Sequence, residues 1–160
     1  MLSVLPSVLV LGLAALAAAT LAWTRSSPPE WASKRRVTAQ TLALATAVQA
    51  IHFTEEAITD FPRRLGELLG LPAMPMSFFM VFNLAWIGIW LASIVAIRAA
   101  HRWAFFAAWF LAIAGMFNGI AHPMLAAASV GYFPGLWTSP AIALAGLWLA
   151  SKLREATRSR

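Results

Sequence analysis

Long apolar stretches fill most of this chain and restrict what it can fold into. A helix needs roughly 20 consecutive apolar residues to cross the hydrocarbon core of a bilayer. Five stretches approach that length and leave no room for a soluble domain between them: residues 5–23, 37–58, 77–97, 103–129 and 136–150. Of the 160 residues, 61% are hydrophobic and 11% charged, whereas soluble domains are about half apolar and about a quarter charged. The sequence therefore predicts an all-α fold, a polytopic membrane bundle of five transmembrane helices in one domain, residues 1–160.

The basic residues fall mainly in linkers that would share one side of the membrane. Of the 12 Lys and Arg residues, only Arg63 and Arg64 would lie on the opposite side. The positive-inside rule then places the N-terminus outside and the C-terminus in the cytoplasm. We expect a multi-pass protein of the cytoplasmic (bacterial inner) membrane, with membrane lipids as partners and no role with nucleic acid. No protein partner is indicated, and a homo-oligomer is an open alternative.

The first stretch has a second interpretation as a cleaved signal peptide. Ala17–Ala19 would lie near the cleavage point. However, no Lys or Arg precedes the apolar run, and the run is longer than the usual core of about 7–15 residues. A membrane span is therefore the favoured interpretation.

Residues 61–70 are predicted to form a short helix lying in the membrane interface, with a lid over a site as the alternative. Asp60 suits a helix cap, Pro62 suits a first turn, and Gly70 suits the end of a helix. The spacing of Phe61 and the leucines gives the helix one apolar face.

His52, Glu55 and Glu56 stand inside the apolar second stretch. On a helix all three side chains fit within an arc of about 100°. A charged side chain in mid-membrane costs roughly 2.5–3.5 kcal/mol or more. Two adjacent carboxylates also repel each other, so they need a proton, a cation or a metal nearby.

Other stretches carry polar residues at a matching depth. Asn118 and His122 are four residues apart on one face of the fourth stretch, which crosses in the same direction as the second. His52 and His122 therefore lie at similar distances from the outer surface. The third stretch begins at the outside, so Asn83 lies at a depth similar to that of the two histidines. Trp86 shares the helical face of Asn83. Because polar groups in lipid must find partners, we expect these side chains to converge in the outer half of the bilayer.

Two glycines and a proline of the fourth stretch predict local features of its helix. Gly115 and Gly119 form a GxxxG pair, which is typical of close helix packing. Pro123 follows His122 and is predicted to interrupt the helix there.

The residue types at the predicted convergence suit a metal ion. Imidazoles and carboxylates are ordinary ligands of zinc, iron or manganese, and we expect one divalent metal bound by His52, Glu55, Glu56 and His122. His52, Glu55 and Glu56 are also the candidate catalytic residues. The candidate substrate-binding residues are Asn83, Trp86, Asn118 and Tyr132. The spacing differs from the zinc-protease pattern H-x-x-E-H because Glu56 replaces its second histidine, which disfavours a protease.

Three motifs in order resemble the HXXEE-motif family of small bacterial membrane proteins. These are residues 52–56 (HFTEE), the pair Asn118-x-x-x-His122, and residues 131–140 (GYFPGLWTSP), which are similar to that family's Tyr-x-Pro-Gly-x-x-Thr segment. The resemblance covers roughly Val37–Ala150. It implies that the polar residues above are the signature of the family, and it carries no reaction with it.

The third motif also has a physical interpretation. Pro134–Gly135 predicts a tight turn before the last helix. Tyr132 either anchors the chain at the outer interface or reaches the site.

Three functions remain open on the sequence. The first is a metal-dependent membrane enzyme, a hydrolase or an oxidoreductase, acting on a lipid-like or small apolar substrate. The second is a metal-free isomerase or cyclase of a sterol- or terpene-like lipid, in which the glutamates and His52 move a proton. The third is a structural protein or an ion carrier without enzymatic activity.

Overall fold

The computed structural model describes residues 5–159, and over these residues it is almost entirely helical. A single 3-10 turn, Pro29–Trp31, precedes the second helix. The α-helices of the described residues are α1 (Leu5–Thr24), α2 (Ala32–Ile58), α3 (Phe61–Leu69), α4 (Met76–Arg98), α5 (Arg102–Ala128) and α6 (Ser139–Ala156). Two short strands, β1 (Arg25–Ser26) and β2 (Arg158–Ser159), pair antiparallel and join the end of α1 to the end of α6. The predicted all-α class is confirmed.

The helices differ from the predicted apolar stretches mainly at two places. α2 begins at Ala32, because Lys34, Arg35 and Arg36 continue the helix beyond its apolar part. α6 begins at Ser139, since the Pro134–Gly135 turn occupies the residues before it, and it continues to Ala156 through a charged last turn.

Two of the described helices, α4 and α5, are long and apolar enough to cross a membrane by length and composition. The part Val8–Thr24 of α1 is apolar but shorter. α2 carries Gln49 and His52 in its apolar part, and α6 carries charged residues in its last turns. Membrane association is therefore indicated by two helices, while the five-span arrangement stays a prediction.

α5 lies at the centre of the bundle and packs against α1, α4 and α6, while α2 packs against α4 and α6. Small side chains make these contacts close: Ala14 and Ala18 of α1 and Ala104 and Ala108 of α5 are fully buried.

Glycines bring α5 and α6 into backbone contact. A Cβ added at Gly115 would lie 2.9 Å from the carbonyl oxygen of Ile142, and one at Gly146 would lie 2.6 Å from that of Ala112. A Cβ at Gly119 would overlap the Cβ of Ala143. The GxxxG prediction is thus confirmed. The predicted interruption at Pro123 was wrong, because α5 continues through Pro123 to Ala128.

The linkers that carry most of the basic residues meet at one end of the bundle. Arg35 is buried and donates to the carbonyl oxygens of Arg98, Pro28 and Pro29. Arg102 donates to the carbonyl oxygen of Trp23. We name this end, where α1, α4 and α6 finish and α2 and α5 begin, the basic end.

α3 lies at the opposite end and follows α2 after a sharp turn. Gly70 ends the helix in the left-handed conformation at φ 65°, as predicted, and Pro62 occupies the first turn. The predicted capping by Asp60 was wrong. Asp60 is left-handed at φ 59°, and its carboxylate accepts a hydrogen bond from Arg63 instead of from the helix backbone.

Candidate metal centre

His52, Glu56 and His122 come together between α2 and α5, and all three are buried. One carboxylate oxygen of Glu56, Oε1, lies 3.6 Å from Nε2 of His52 and 3.4 Å from Nε2 of His122. The two imidazole rings meet edge to face with their centroids 4.8 Å apart. The predicted convergence of the two histidines is therefore observed.

The loop 131–138 fixes the orientation of the His122 ring. Nδ1 of His122 lies 2.6 Å from the carbonyl oxygen of Pro134. A carbonyl oxygen only accepts, so Nδ1 carries the hydrogen of this bond. Nε2 of a neutral His122 then presents a lone pair to Glu56.

Gly135 lets the loop approach the same ring. Its φ of 86° is unfavourable for residues with a side chain, and a Cβ there would lie 2.6 Å from Nδ1 of His122. Any larger residue at position 135 would therefore displace the ring.

A chain of two hydrogen bonds likewise makes Nδ1 of His52 a donor. The hydroxyl of Thr138 donates its only hydrogen to Oε2 of Glu55. Nδ1 of His52 lies 2.7 Å from that hydroxyl oxygen, so it must be the donor of this second bond. Nε2 of a neutral His52 thus also presents a lone pair.

With both imidazoles neutral and Glu56 ionised, three electron-pair donors face one another with no hydrogen to join them. Nε2 of His52 is buried and has no hydrogen-bond partner among the described residues. Tetrahedral zinc with metal–nitrogen distances of about 2.0–2.1 Å holds its ligand atoms about 3.3 Å apart. The distances of 3.4 and 3.6 Å from Glu56 to the imidazoles are close to that spacing.

Glu55 points away from this group and into the loop 131–138. Its carboxylate accepts hydrogen bonds from the hydroxyl of Tyr132 at 2.7 Å, from the backbone N–H groups of Trp137 and Thr138 at 3.1 and 2.9 Å, and from the hydroxyl of Thr138. Four donors satisfy both oxygens. The structure therefore does not bring Glu55 into the group formed by His52, Glu56 and His122.

Aromatic side chains surround the centre. The ring of Phe61, at the start of α3, lies 5.7 Å from that of His122. Phe61 also packs against Phe79 and Phe133, at 5.8 and 5.9 Å. Phe53 packs on Phe79 from the other side. Phe61 of α3 and the rings packed on it therefore form an apolar cluster beside His122.

The candidate substrate-binding residues are placed differently from one another. Tyr132 reaches the site through Glu55. Asn118 lies one turn before His122 and is half-buried, and its side chain makes no hydrogen bond within residues 5–159. Asn83 donates to the carbonyl oxygen of Phe79 in its own helix. Their roles with a substrate stay predictions.

Trp86 belongs to a stack of rings between α4 and α5. Its ring lies 4.3 Å from that of Phe110 and 5.6 Å from that of Trp90. Among the described residues, it makes no aromatic contact with His52 or His122.

The sequence did not reveal the roles of Thr138, the Pro134 carbonyl group and Phe61. The Pro-Gly-x-x-Thr spacing was the available signal for the first two. A turn before a helix brings a backbone carbonyl group and the helix-capping residue to one place. Nothing in the sequence indicated that Phe61 would pack on His122.

Comparison with known proteins identifies a family but no function. No curated protein and no solved structure matches the chain. The model of a family described as protein of unknown function with HXXEE motif matches residues 42–149. This match covers most of the chain and includes His52, Glu55 and Glu56 as the motif, as well as His122 and the loop 131–138. The chain therefore belongs to the HXXEE family.

Proposed function

We propose that His52, Glu56 and His122 bind one divalent metal ion, and that the protein is a membrane-embedded, metal-dependent enzyme. The observation that carries this proposal is the convergence of Nε2 of two imidazoles and a carboxylate oxygen in a buried place, where Nε2 of His52 has no hydrogen-bond partner among the described residues. Such a group repels itself unless a cation or a shared proton joins it. Two histidines and one carboxylate are an established ligand set for catalytic zinc and for non-haem iron.

The membrane location that the proposal includes is supported by the exposed surface of the helices. Leu13 and Leu16 of α1 are 65% and 66% exposed, and Val81 and Val95 of α4 are 68% and 70% exposed. Large apolar side chains exposed on several helices at once are unusual on soluble monomers and suit lipid contact. In the proposed arrangement α1, α2, α4, α5 and α6 span the membrane, with the basic end in the cytoplasm.

Three protein ligands leave at least one coordination position for a substrate or water. A metal bound there would supply a Lewis acid. The chain's own residues hold the ligands in place, since the Pro134 carbonyl group and the Thr138–Glu55 pair fix both imidazole rings. Glu55 is thus proposed as a positioning residue rather than a ligand.

The substrate class follows from the surroundings of the proposed centre. The rings of Phe61, Phe79 and Phe133 present apolar surface close to His122, and the centre lies within the bundle. Such a lining favours a lipid-like or small apolar substrate over a charged soluble metabolite.

Metal analysis of the purified protein tests the proposal. We expect one bound metal per chain in the wild type, lost in His122→Ala and in His52→Ala. His101→Ala is the matched control, because His101 is exposed in the turn before α5. A folded wild-type protein that takes up neither zinc, iron nor manganese on titration would contradict the metal site.

A metal-free acid–base enzyme is the second candidate, and one observation favours it. The chain Glu55–Thr138–His52 connects a carboxylate to an imidazole through a hydroxyl, which is also a path for a proton. This candidate predicts full lipid isomerase or cyclase activity after exhaustive chelation, whereas the metal enzyme loses its activity and regains it when metal is added.

A further inference from the structure

A small cavity lies at the basic end, far from the candidate metal centre. It has a volume of about 130 Å³, and its lining includes Arg25, Ser26, Ser27, Arg102 and Trp109. The lining contains no carboxylate. The charged side chains around this cavity are therefore both cationic.

The two arginines keep unused donors and uncompensated charge. Arg25 donates from Nε and one terminal nitrogen to the hydroxyl and carbonyl groups of Thr157 and to the carbonyl group of Arg154. Arg102 donates to the carbonyl oxygen of Trp23 and lies over its ring. Within residues 5–159 neither arginine forms an ion pair. Two guanidinium groups beside one cavity favour an anion there.

Trp109 adds an independent observation. Its side chain is buried, and its Nε1–H group has no hydrogen-bond acceptor among the described residues. A buried N–H without an acceptor is costly, so it is usually satisfied by a ligand or a water molecule. Trp109 lines the cavity and also the neighbouring groove.

That groove continues from the cavity between α1, α5 and α6. It has a volume of about 760 Å³ and shares Leu21, Arg25 and Trp109 with the cavity. Its further lining is largely apolar: Ile113, Met116, Leu147 and Ala150. Arg154 and Glu155 line the groove near the basic end of the bundle, and Glu155 is paired with Lys152.

The geometry points to a binding site for an anionic phospholipid, with its phosphate group between Arg25 and Arg102 and an acyl chain in the groove. From Trp109 to Met116 the groove runs about 10 Å along α5, at 1.5 Å per residue, towards the middle of the bundle. A free phosphate would use only the cavity, whereas a phospholipid also covers the apolar groove. The inference rests on the membrane location proposed above, and it is independent of the metal.

Native mass spectrometry of the full chain in detergent tests this site. The probes are phosphatidylglycerol, phosphatidylcholine and inorganic phosphate. We expect retained phosphatidylglycerol, weaker phosphatidylcholine binding and no retained phosphate. Arg102→Gln should weaken phosphatidylglycerol binding about fivefold, as expected for one basic residue at an anionic lipid surface. Arg36→Gln is the matched control, since Arg36 is exposed at the same end and lines neither the cavity nor the groove.

A second variant keeps the test valid if Arg102→Gln folds poorly. Leu147→Trp should narrow the groove and weaken phosphatidylglycerol binding while it leaves both arginines in place. Equal binding of the two lipids, or equal effects of Arg102→Gln and Arg36→Gln, would overturn the inference. Metal content separates the two proposals: Arg102→Gln and Leu147→Trp should both retain the metal, and His122→Ala should lose the metal yet still bind phosphatidylglycerol.

Discussion

Glu55 and Glu56 are neighbours in the sequence but have opposite surroundings. Four hydrogen-bond donors of the loop 131–138 surround the carboxylate of Glu55. Glu56 faces Nε2 of two imidazoles, at 3.4 and 3.6 Å, and these nitrogens carry no hydrogen when the rings are neutral. The first carboxylate is fully satisfied by the protein, and the second is not. The difference supports the proposal that Glu55 is a positioning residue and that Glu56 binds the cation.

Exchanging each glutamate for glutamine is the sharpest test of this difference. Glu56→Gln removes the only charged ligand and should abolish stoichiometric metal binding, measured on purified protein. Glu55→Gln should keep a measurable affinity, weaker by about 10–100-fold at most, because it acts through Thr138. The opposite ranking of the two variants would reverse the assignment.

Gly135→Ala should produce the next largest effect. The new Cβ would collide with the His122 ring and require an unfavourable φ, so we expect a loss of more than about 2 kcal/mol in the free energy of unfolding and reduced metal content. Unfolding in detergent and metal analysis measure these effects.

Gly131→Ala is the control for that variant, since a Cβ at Gly131 meets open space. It should change stability by less than about 0.5 kcal/mol. Similar losses in both variants would show that the loop is merely sensitive to substitution, and that the contact with His122 is not the cause.

Thr138→Val tests whether Thr138 connects Glu55 to His52. The variant keeps the shape of the side chain but removes the hydroxyl that links Glu55 to His52, so metal affinity should fall by about 10–100-fold. Thr138→Ser retains the hydroxyl and should stay close to the wild type in the same metal titration. Unchanged affinity in Thr138→Val would remove Glu55 from any role at the centre.

Tyr132→Phe should have the smallest effect. It removes one of the four donors to Glu55, which should cost about 0.5–1.5 kcal/mol of stability. Metal content should remain that of the wild type, as checked by the same analysis. Loss of the metal with unchanged stability would place Tyr132 at the metal centre itself, rather than only among the donors to Glu55.

Sequence reasoning placed the helices well because long apolar runs leave few alternatives. It also brought His52 and His122 together, since both lie at a similar distance from one end of their helices. It could not separate Glu55 from Glu56, because both fall within the same arc of α2 and only the loop 131–138 distinguishes them.

Other parts of the site depend on contacts that a side-chain pattern does not encode. The acceptor for His122 is a backbone carbonyl group, and every residue has one. Trp86 shares a face with Asn83, but that face points towards Phe110 of α5 rather than to the histidines. These contacts depend on how each helix is rotated about its axis. The depth of a residue along its helix does not determine that rotation.

The glycine contacts between α5 and α6 make the spacing of this chain intolerant of insertions. Gly115 and Gly119 fix how α5 and α6 are aligned along their length, and His122 and Thr138 lie just beyond the same end of that contact, one on each side. One residue added between Gly119 and His122 would turn the imidazole by about 100° away from Glu56. A change in chain length between these glycines and His122 would therefore dismantle the centre in a single step.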